Sequence, residues 1–174
     1  MAIAITLEEF LAEQHVDYEI VRHRRTETAL DSSISAKVPP EQVAKAVIME
    51  DSNGEFLMAS VPARRRVSVN QLNTLTNRHY KLVSESRLAV LFPDCKKGAI
   101  PSFGKAYNLR MMVDDELLSA PFVYIEAGDH QHMLRFKGDE YRQLVAKMPH
   151  GEIHNDLIGF KHFKEKRPGW KWIP

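Results

Sequence analysis

One lysine interrupts an apolar segment in the first half of the chain. Lys45 lies in the sequence AKAVIME, where the alternation of a β-strand places it on one face with Val47 and Met49. An amine on an otherwise apolar strand face either extends to the solvated rim of the sheet or is held in a site for negative charge. The strand pattern leaves both interpretations open.

A stiff loop of small residues, KKGAIPSFGKAY at 96–107, is the second unusual segment. Gly98 and Gly104 permit backbone angles that are closed to other residues, and they allow a ligand to approach the main chain. Pro101 stiffens the span between them. Exposed N–H groups in such a loop can bind an anion or a developing oxyanion, although a plain tight connection would use the same residues.

Two histidines and one cysteine are further candidates for chemistry. His130 and His132 share a face if they lie on a strand, as two metal ligands would. No cysteine or carboxylate accompanies them at a spacing typical of a metal site, so the sequence predicts no metal and favours His130 as a substrate contact at a strand start. Cys95 has no base paired with it in the sequence, which favours an inert thiol over a nucleophile.

Basic residues form two short clusters, each directly after a predicted strand. Such runs are usually just solvated, but two clusters that flank one opening would also suit the phosphates of a nucleic acid. The residues are Arg22, Arg24 and Arg25 in the first cluster and Arg64, Arg65 and Arg66 in the second.

The elements that must position these residues are short and alternate between helix and strand. Two apolar runs around Asp51-Ser-Asn-Gly54 predict a β-hairpin, and a capping box from Thr6 to Glu9 predicts a helix start. Hairpins mixed with helices favour an α+β fold around a mostly antiparallel sheet over a doubly wound parallel one. Predicted helices cover about 7–14, 27–37, 69–75, 85–92 and 139–148, and predicted strands cover about 18–23, 44–50, 55–61, 79–84, 109–113, 122–127 and 132–136.

Composition limits the class of protein. A chain of 174 residues suits one domain, and a net charge of +1 means that any nucleic-acid contact must come from a local patch. One cysteine suits a reducing compartment, and no apolar run approaches the roughly 20 residues of a membrane span. We therefore expect a cytoplasmic protein with its domain at 1–148, followed by an extension of unknown role at 149–174, and with an oligomeric state that the sequence does not indicate.

These segments, in this order, resemble the YbaK/aminoacyl-tRNA synthetase-associated domain superfamily. That superfamily includes the insertion editing domain of bacterial prolyl-tRNA synthetase and its free-standing relatives. The resemblance covers residues 5 to 148 approximately, and the combination of the lysine strand with the G-A-I-P-S-F-G loop is its most specific part. The matching stretches are His23 with Thr28-Ala29, VAKAVIMED, FPDCKKGAIPSFGKAY, Val113-Asp114 and Ala127-Gly128-Asp-His130.

The resemblance implies a mixed, mostly antiparallel and partly barrel-like sheet flanked by helices, and it implies an aminoacyl-tRNA deacylase. Such an enzyme hydrolyses the ester of a mischarged tRNA that carries a small amino acid such as Ala, Cys, Ser or Thr, and it needs no cofactor. Lys45 would hold the terminal phosphate or the developing negative charge, and His130 would form a wall of the pocket. The resemblance assigns catalysis to Lys45, Gly98 and His130, and substrate binding to His23, Thr28, Ile100, Pro101, Ser102, Phe103, Gly104, Asp114 and Gly128.

Two other functions are compatible with the same sequence. A non-catalytic relative would bind the tRNA acceptor end or an aminoacyl-tRNA synthetase without hydrolysis, and a metal hydrolase would use His130 and His132. The chain also departs from the family pattern at positions that set the substrate. Ala46 stands where a threonine or serine is common, Ser102 stands where a second proline is common, and KAYNLR replaces a common Leu-Tyr-Gly-Leu-Pro pattern.

Overall fold

Helices and strands alternate along residues 3–156, the part of the chain that the computed structural model describes. The helices are α1 (Ile5–Gln14), α2 (Ala29–Ala36), α3 (Val69–Thr76), α4 (Glu85–Leu91), α5 (Asp115–Leu118) and α6 (Gly138–Leu144). The strands are β1 (Glu19–Arg22), β2 (Val43–Asp51), β3 (Phe56–Pro62), β4 (Arg65–Val67), β5 (Tyr80–Leu82), β6 (Arg110–Asp114), β7 (Phe122–Glu126), β8 (His132–Lys137), β9 (His150–Gly151) and β10 (His154–Asp156).

The main sheet is mixed. Its order is β1-β8-β7-β2-β3-β6-β9, and β5 pairs with β2 outside this path. Neighbours are antiparallel in β1/β8, β7/β8, β2/β3 and β2/β5 and parallel in β2/β7, β3/β6 and β6/β9. Strands β4 and β10 form a separate antiparallel pair. The predicted α+β fold with a mixed, mostly antiparallel sheet is therefore confirmed.

The two faces of the sheet are buried by different elements. Residues at even positions of β2, such as Ala44 and Ile48, belong to clusters that pack against α1, α6 and α4. Odd positions, such as Val43 and Met49, belong to clusters beneath α2 and α3. Lys45 is at an odd position, so its side chain leaves the sheet on the face that α2 and α3 cover.

Helix α1 begins differently from the sequence prediction. The capping box predicted Thr6 as the cap, but the helix starts at Ile5 and Ala4 precedes it without a side-chain cap. The carboxylate of Asp94 accepts the Thr6 N–H instead, at 2.8 Å. A distant carboxylate thus fills the role that the local motif predicted, because it satisfies a first-turn donor and complements the helix dipole.

The hairpin between β2 and β3 agrees with the prediction from Asp51-Ser-Asn-Gly54. Asp51 Oδ1 accepts the N–H groups of Asn53 and Glu55, each at 2.9 Å, and Gly54 adopts a φ of 79°. An aspartate that bonds its own following backbone and a glycine at positive φ are the features that make this turn tight.

Residues just after the proposed domain boundary at 148 continue the fold. Strand β9 pairs with β6, strand β10 pairs with β4, and Ile153 is fully buried. The remainder of the predicted extension, 157–174, lies outside the described residues. No helix in the described range is long and apolar enough to cross a membrane.

Candidate active site

A gap in the main sheet lies beside Lys45. Strand β2 pairs with β7 only through Val43 and Ala44, and it pairs with β5 only from Met49 onward. Between these pairings, residues 45–48 have no strand partner on that side within the described range. We call this gap the β2 opening.

The main chain of Ala46 faces the β2 opening. Hydrogen bonding alternates along an antiparallel pair, and Val43 accepts the Ala63 N–H on the β3 side at 2.7 Å. The carbonyl of Ile48 is directed to the other side, where it accepts the Val83 N–H at 3.0 Å. Ala46 has the parity of Ile48, so its N–H and C=O are directed into the opening, where a ligand could bond them.

Only the first part of the 98–104 loop reaches the surface. Residues 101–104 are buried, and the hydroxyls of Ser102 and Ser60 are 2.5 Å apart. The ring of Phe103 packs edge-on against Phe136 with a centroid distance of 5.7 Å. These residues were predicted to bind substrate, whereas here they anchor the loop in the core and so hold its exposed start in one position.

Gly98 is the exposed point of this loop and has a left-handed backbone, which glycine adopts without a steric penalty. Its φ is 83°, and its neighbours Lys96 and Lys97 are also exposed. Lys96 N–H donates to the carbonyl of Gly128 at 2.8 Å, which ties the loop to the end of β7. Among the described residues, the N–H groups of Lys97 and Gly98 have no acceptor. Two successive free amides at a left-handed glycine can bind an anion.

The ring of His130 supports this peptide rather than standing apart as a pocket wall. Nε2 lies 2.5 Å from the carbonyl oxygen of Lys97 and donates to it, since a carbonyl can only accept. The peptide bond is trans, so the N–H of Gly98 points away from the carbonyl and therefore away from the ring. His130 itself has a φ of 65°, a strained value of the kind that clusters at functional sites.

The amine of Lys45 does not contact the loop. It donates to the carbonyl oxygens of Arg65 and, at 3.5 Å, Ala63. Burial lowers the pKa of Lys45, and the charge of Arg66 lowers this pKa further. Neither Lys45 nor Arg66 has an ion pair within the described residues, so two neighbouring cations share this end of the opening without a carboxylate.

The six arginines of the predicted basic clusters differ in their partners. Both Arg64 and Arg65 bind Glu116, at 2.7 and 2.9 Å. Arg66 is exposed, as are all three arginines at 22, 24 and 25, and none of these four has an ion pair with another described residue. Arg66 and the first cluster are thus better suited to bind phosphates than Arg64, whose charge Glu116 already offsets.

Glu126 is a candidate site residue that the sequence analysis did not identify. It ends β7 directly after Ile125, the last β7 residue that pairs with β2, and it is 2% exposed. Ser32 of α2 donates to Oε1 at 2.5 Å, and the hydroxyl of Thr26 lies 2.7 Å from that of Ser32. Burial and, to a smaller extent, Asp129 raise the pKa of Glu126 to about 7. The signal was present in FVYIEA, where a carboxylate follows four apolar residues.

Two residues assigned by the resemblance lie near Glu126 and His130. His23 is buried and its Nδ1 donates to the carbonyl of Arg24 at 2.7 Å. Gly128 has a φ of 112° and packs so closely on Ala4 that an added Cβ would lie 2.9 Å from the alanine Cβ. Both residues thus help to shape the ends of the strands around the site.

Thr28 and Asp114 make structural contacts instead. Thr28 is the N-cap of α2 and accepts the Asp31 N–H at 3.1 Å. Asp114 is fully buried and accepts from the N–H groups of Glu116 and Ile153 and from His154 Nδ1. These bonds fasten the chain at 153–154 to the sheet. Both oxygens of Asp114 accept bonds from the protein itself, so its role here is structural.

One group of side chains in the described range has the composition of a metal site. Ligand atoms of Asp114, Glu116 and His154 lie within 4.8 Å of one another. Two arginine side chains already bind Glu116, and their charge opposes a cation there. His130 and His132, the pair considered as metal ligands in the sequence, have different partners. His132 Nδ1 contacts Asp129 at 2.6 Å, whereas the ring of His130 contacts the loop.

A small cavity of about 150 Å³ lies between α4 and the loop, directly beside Gly98. Leu88, Phe92 and Ile100 form its apolar part. Cys95 also lines it, but burial raises the pKa of the thiol to about 12, so the group is protonated and a poor nucleophile. The cavity therefore offers shape and apolar contact next to the free amides.

Solved structures with the same fold are similar to this chain over most of its length. The hypothetical protein APE2540 is 19% identical with a TM-score of 0.75, and the match covers 86% of this chain and 99% of that one. A candidate trans-editing enzyme for prolyl tRNA synthetase is 16% identical with a TM-score of 0.71, covering 87% and 96%. A candidate signal transduction protein from Marinobacter aquaeolei VT8 is 16% identical with a TM-score of 0.70, covering 87% of this chain and 31% of that one.

At these identities the structures establish the fold alone, and no curated protein matches the sequence significantly. Residues 23–144 match the family model of the aminoacyl-tRNA editing domain. This range contains the lysine strand, the glycine loop and His130, and it makes up most of the chain. The chain therefore belongs to the aminoacyl-tRNA editing domain family.

Proposed function

We propose that this protein is a trans-editing deacylase that hydrolyses the ester of a mischarged tRNA carrying a small amino acid. The observation that carries the proposal is the free N–H of Gly98, which the ring of His130 directs away from itself. That amide lies at the exposed start of a loop whose remainder is anchored in the core. Fixed donors of this kind stabilise an oxyanion without reorganisation during the reaction.

The proposed reaction needs no protein nucleophile, because an aminoacyl ester is already activated. A water oxygen adds to the carbonyl carbon, and the negative charge develops on the carbonyl oxygen at the amides of Lys97 and Gly98. The bond to the ribose oxygen then breaks, and the proton from the water goes to that leaving oxygen. Positioning and charge stabilisation are the contributions that this chain supplies.

Substrate size is limited by the cavity beside Gly98. Its volume of about 150 Å³ and its lining by Leu88, Phe92 and Ile100 suit a short acyl side chain. An apolar pocket discriminates by only ~1–3 kcal/mol per methylene, or about 10–200-fold. We therefore propose a preference for small residues over larger ones rather than absolute selection of one amino acid.

Lys45 and Arg66 are proposed to bind the terminal phosphate of the tRNA rather than the ester itself. Their charges lie together, and the Lys45 amine is already directed to the carbonyls of residues 63 and 65 instead of Gly98. A phosphate would supply the anion that these two side chains lack among the described residues.

The test is a deacylation assay on a panel of mischarged tRNAs with wild-type protein, Lys45→Ala and the exposed control Lys147→Ala. We expect wild type to release small amino acids, and Lys45→Ala to raise KM about 10- to 100-fold with kcat little changed, since one charged contact is lost. Lys147→Ala should match wild type. No hydrolysis of any member of the panel by wild type would refute the proposed activity.

The salt dependence of tRNA binding should separate Arg66 from Arg64. Arg66→Ala should lower the slope of log Kd against log salt by roughly 0.7–0.9, the value for one lost phosphate contact. Arg64→Ala is the matched control and should change the slope less, because Glu116 offsets its charge. Measured by fluorescence anisotropy over a salt series, equal slopes for wild type and Arg66→Ala would remove Arg66 from the interface.

A second candidate function is a relative that binds tRNA or a synthetase without hydrolysis. This second function is favoured by the position of the Lys45 amine, which donates to the carbonyl of Arg65 and not to the glycine loop. The same panel separates the two proposals, since a binding protein would protect the ester of a mischarged tRNA that a deacylase would cleave.

A further inference from the structure

Three buried acceptor atoms at one edge of the sheet have no donor. Glu126 Oε2, His23 Nε2 and His130 Nδ1 make no hydrogen bond within the described residues. The three side chains are 2%, 7% and 5% exposed. Buried polar atoms are nearly always paired, so three such atoms close together in the fold call for a functional explanation.

The chemistry of all three atoms is the same. The other ring nitrogen of each histidine contacts a carbonyl oxygen, Arg24 for His23 and Lys97 for His130, and must therefore carry the proton. In a neutral ring the remaining nitrogen can only accept. When Glu126 is ionised, its free oxygen is an acceptor as well, because Ser32 bonds only Oε1.

Strand pairing brings these residues to one end of three adjacent strands. His23 directly follows β1, Glu126 ends β7, and His130 stands just before β8, which lies between the other two strands. Two backbone bonds tie the segments together, from His23 N–H to Gln131 O at 2.9 Å and from Thr26 N–H to His130 O at 3.3 Å. The same edge borders the β2 opening and Gly98.

No lysine, arginine or histidine in the described range forms an ion pair with Glu126, although Arg24 and Lys97 lie near this edge with exposed side chains. The charge that shifts the pKa of Glu126 is that of Asp129, which has the same sign and raises this pKa. Lys45, on the neighbouring strand β2, directs its amine to the carbonyls of residues 63 and 65. A buried carboxylate without a counter-charge is costly, and a cationic ligand with several N–H donors would remove that cost.

We propose that Glu126, together with His23 and His130, binds the α-ammonium group of the aminoacyl ester. This inference rests on the proposed function and deepens it, because it defines the substrate class as esters of amino acids with a free amino group. An ammonium carries three donors and one charge, which matches three acceptors and one carboxylate. An N-acylated residue offers one neutral donor and a bulky group, so esters of N-acylated amino acids are excluded.

The experiment compares binding of two tRNA minihelices that cannot be hydrolysed. One carries alanine in amide linkage at its 3′ end, and the other carries a propionyl group, which lacks only the amine. Wild type should bind the alanyl form roughly 10- to 100-fold more tightly, as expected for loss of a charged hydrogen bond. Glu126→Gln should bind both forms alike, whereas the exposed control Glu13→Gln should keep the preference.

Equal binding of the two forms by wild type, or an unchanged preference in Glu126→Gln, would overturn the inference. If Glu126→Gln binds both forms as wild type does and only its kcat for deacylation falls, the inference is also overturned. Glu126 would then act in proton transfer instead. If wild type deacylates mischarged tRNA but shows no alanyl preference, the inference fails and the proposed function stands. If it neither deacylates nor binds the alanyl end, both fail.

Discussion

Gly98→Ala should lower kcat/KM for deacylation by about 10²- to 10³-fold, the cost of losing one oxyanion donor. Gly98 has a φ of 83°, which is strained for an alanine. Its new Cβ would lie 3.2 Å from the carbonyl oxygen of Glu27 and 3.4 Å from Cε1 of His130. The peptide must therefore rotate, and the N–H that His130 directs would turn away from the ester. Steady-state kinetics on a mischarged tRNA should place the loss mainly in kcat, because the donor acts on charge that develops during the reaction.

Gly54→Ala is the matched control for this substitution. Gly54 has a φ of 79°, but an added Cβ would meet nothing closer than Glu50 Oε1 at 3.9 Å. Both variants should lose about 1–2 kcal/mol of unfolding free energy from backbone strain, and only Gly98→Ala should lose activity. Equal activity losses in the two variants would attribute the effect to stability, and full activity of Gly98→Ala would remove the amide from the reaction.

Local patterns predicted the elements of the fold better than their contacts. The alternation in AKAVIME and the Asp51–Gly54 turn correctly indicated β2 and the hairpin, since both depend on neighbours in sequence. The start of α1 was missed because Asp94, distant in sequence, replaces the cap that Thr6 was expected to provide. Strands β9 and β10 were missed because segments of two and three residues form only through their partners β6 and β4.

The candidate site was predicted in its residues more than in its geometry. The sequence indicated Lys45, the glycine loop and His130, but it could not indicate that Lys45 leaves the sheet on the face covered by α2 and α3. That depends on which elements cover each face. The resemblance assigned Phe103 to substrate binding, and its ring packs in the core against Phe136. A loop pattern identifies rigidity but not the direction in which each side chain points.

Glu126 illustrates the same limit, and it has a consequence for stability. On a half-exposed strand a carboxylate would face water, whereas α2 covers this face and buries Glu126 beneath Ser32. Burial disfavours the charged form, which is why the pKa of this group rises from 4.5 to about 7. Sites that bind charge often hold such destabilising groups, so their removal stabilises the fold while it impairs function.

The unfolding free energy of Glu126→Gln minus that of wild type should therefore rise by about 3 kcal/mol from pH 4 to pH 8. Between pH 4.5 and about 7 the unfolded chain has lost the Glu126 proton while the native protein keeps it. The unfolded state then binds fewer protons, so wild-type unfolding free energy falls as pH rises through this window, and this contribution is absent in the glutamine variant. Urea unfolding of both proteins from pH 4 to 8 gives the difference curve, in which all other titrating groups cancel, and Glu13→Gln should give a flat curve because its side chain is exposed.

A flat curve for Glu126→Gln would show that the carboxylate ionises in the native protein as it does in the unfolded chain, through solvent or a cation that reaches it. A difference that rises with pH, combined with loss of the alanyl preference, would instead mark Glu126 as a group that lowers stability because its charge is reserved for a ligand.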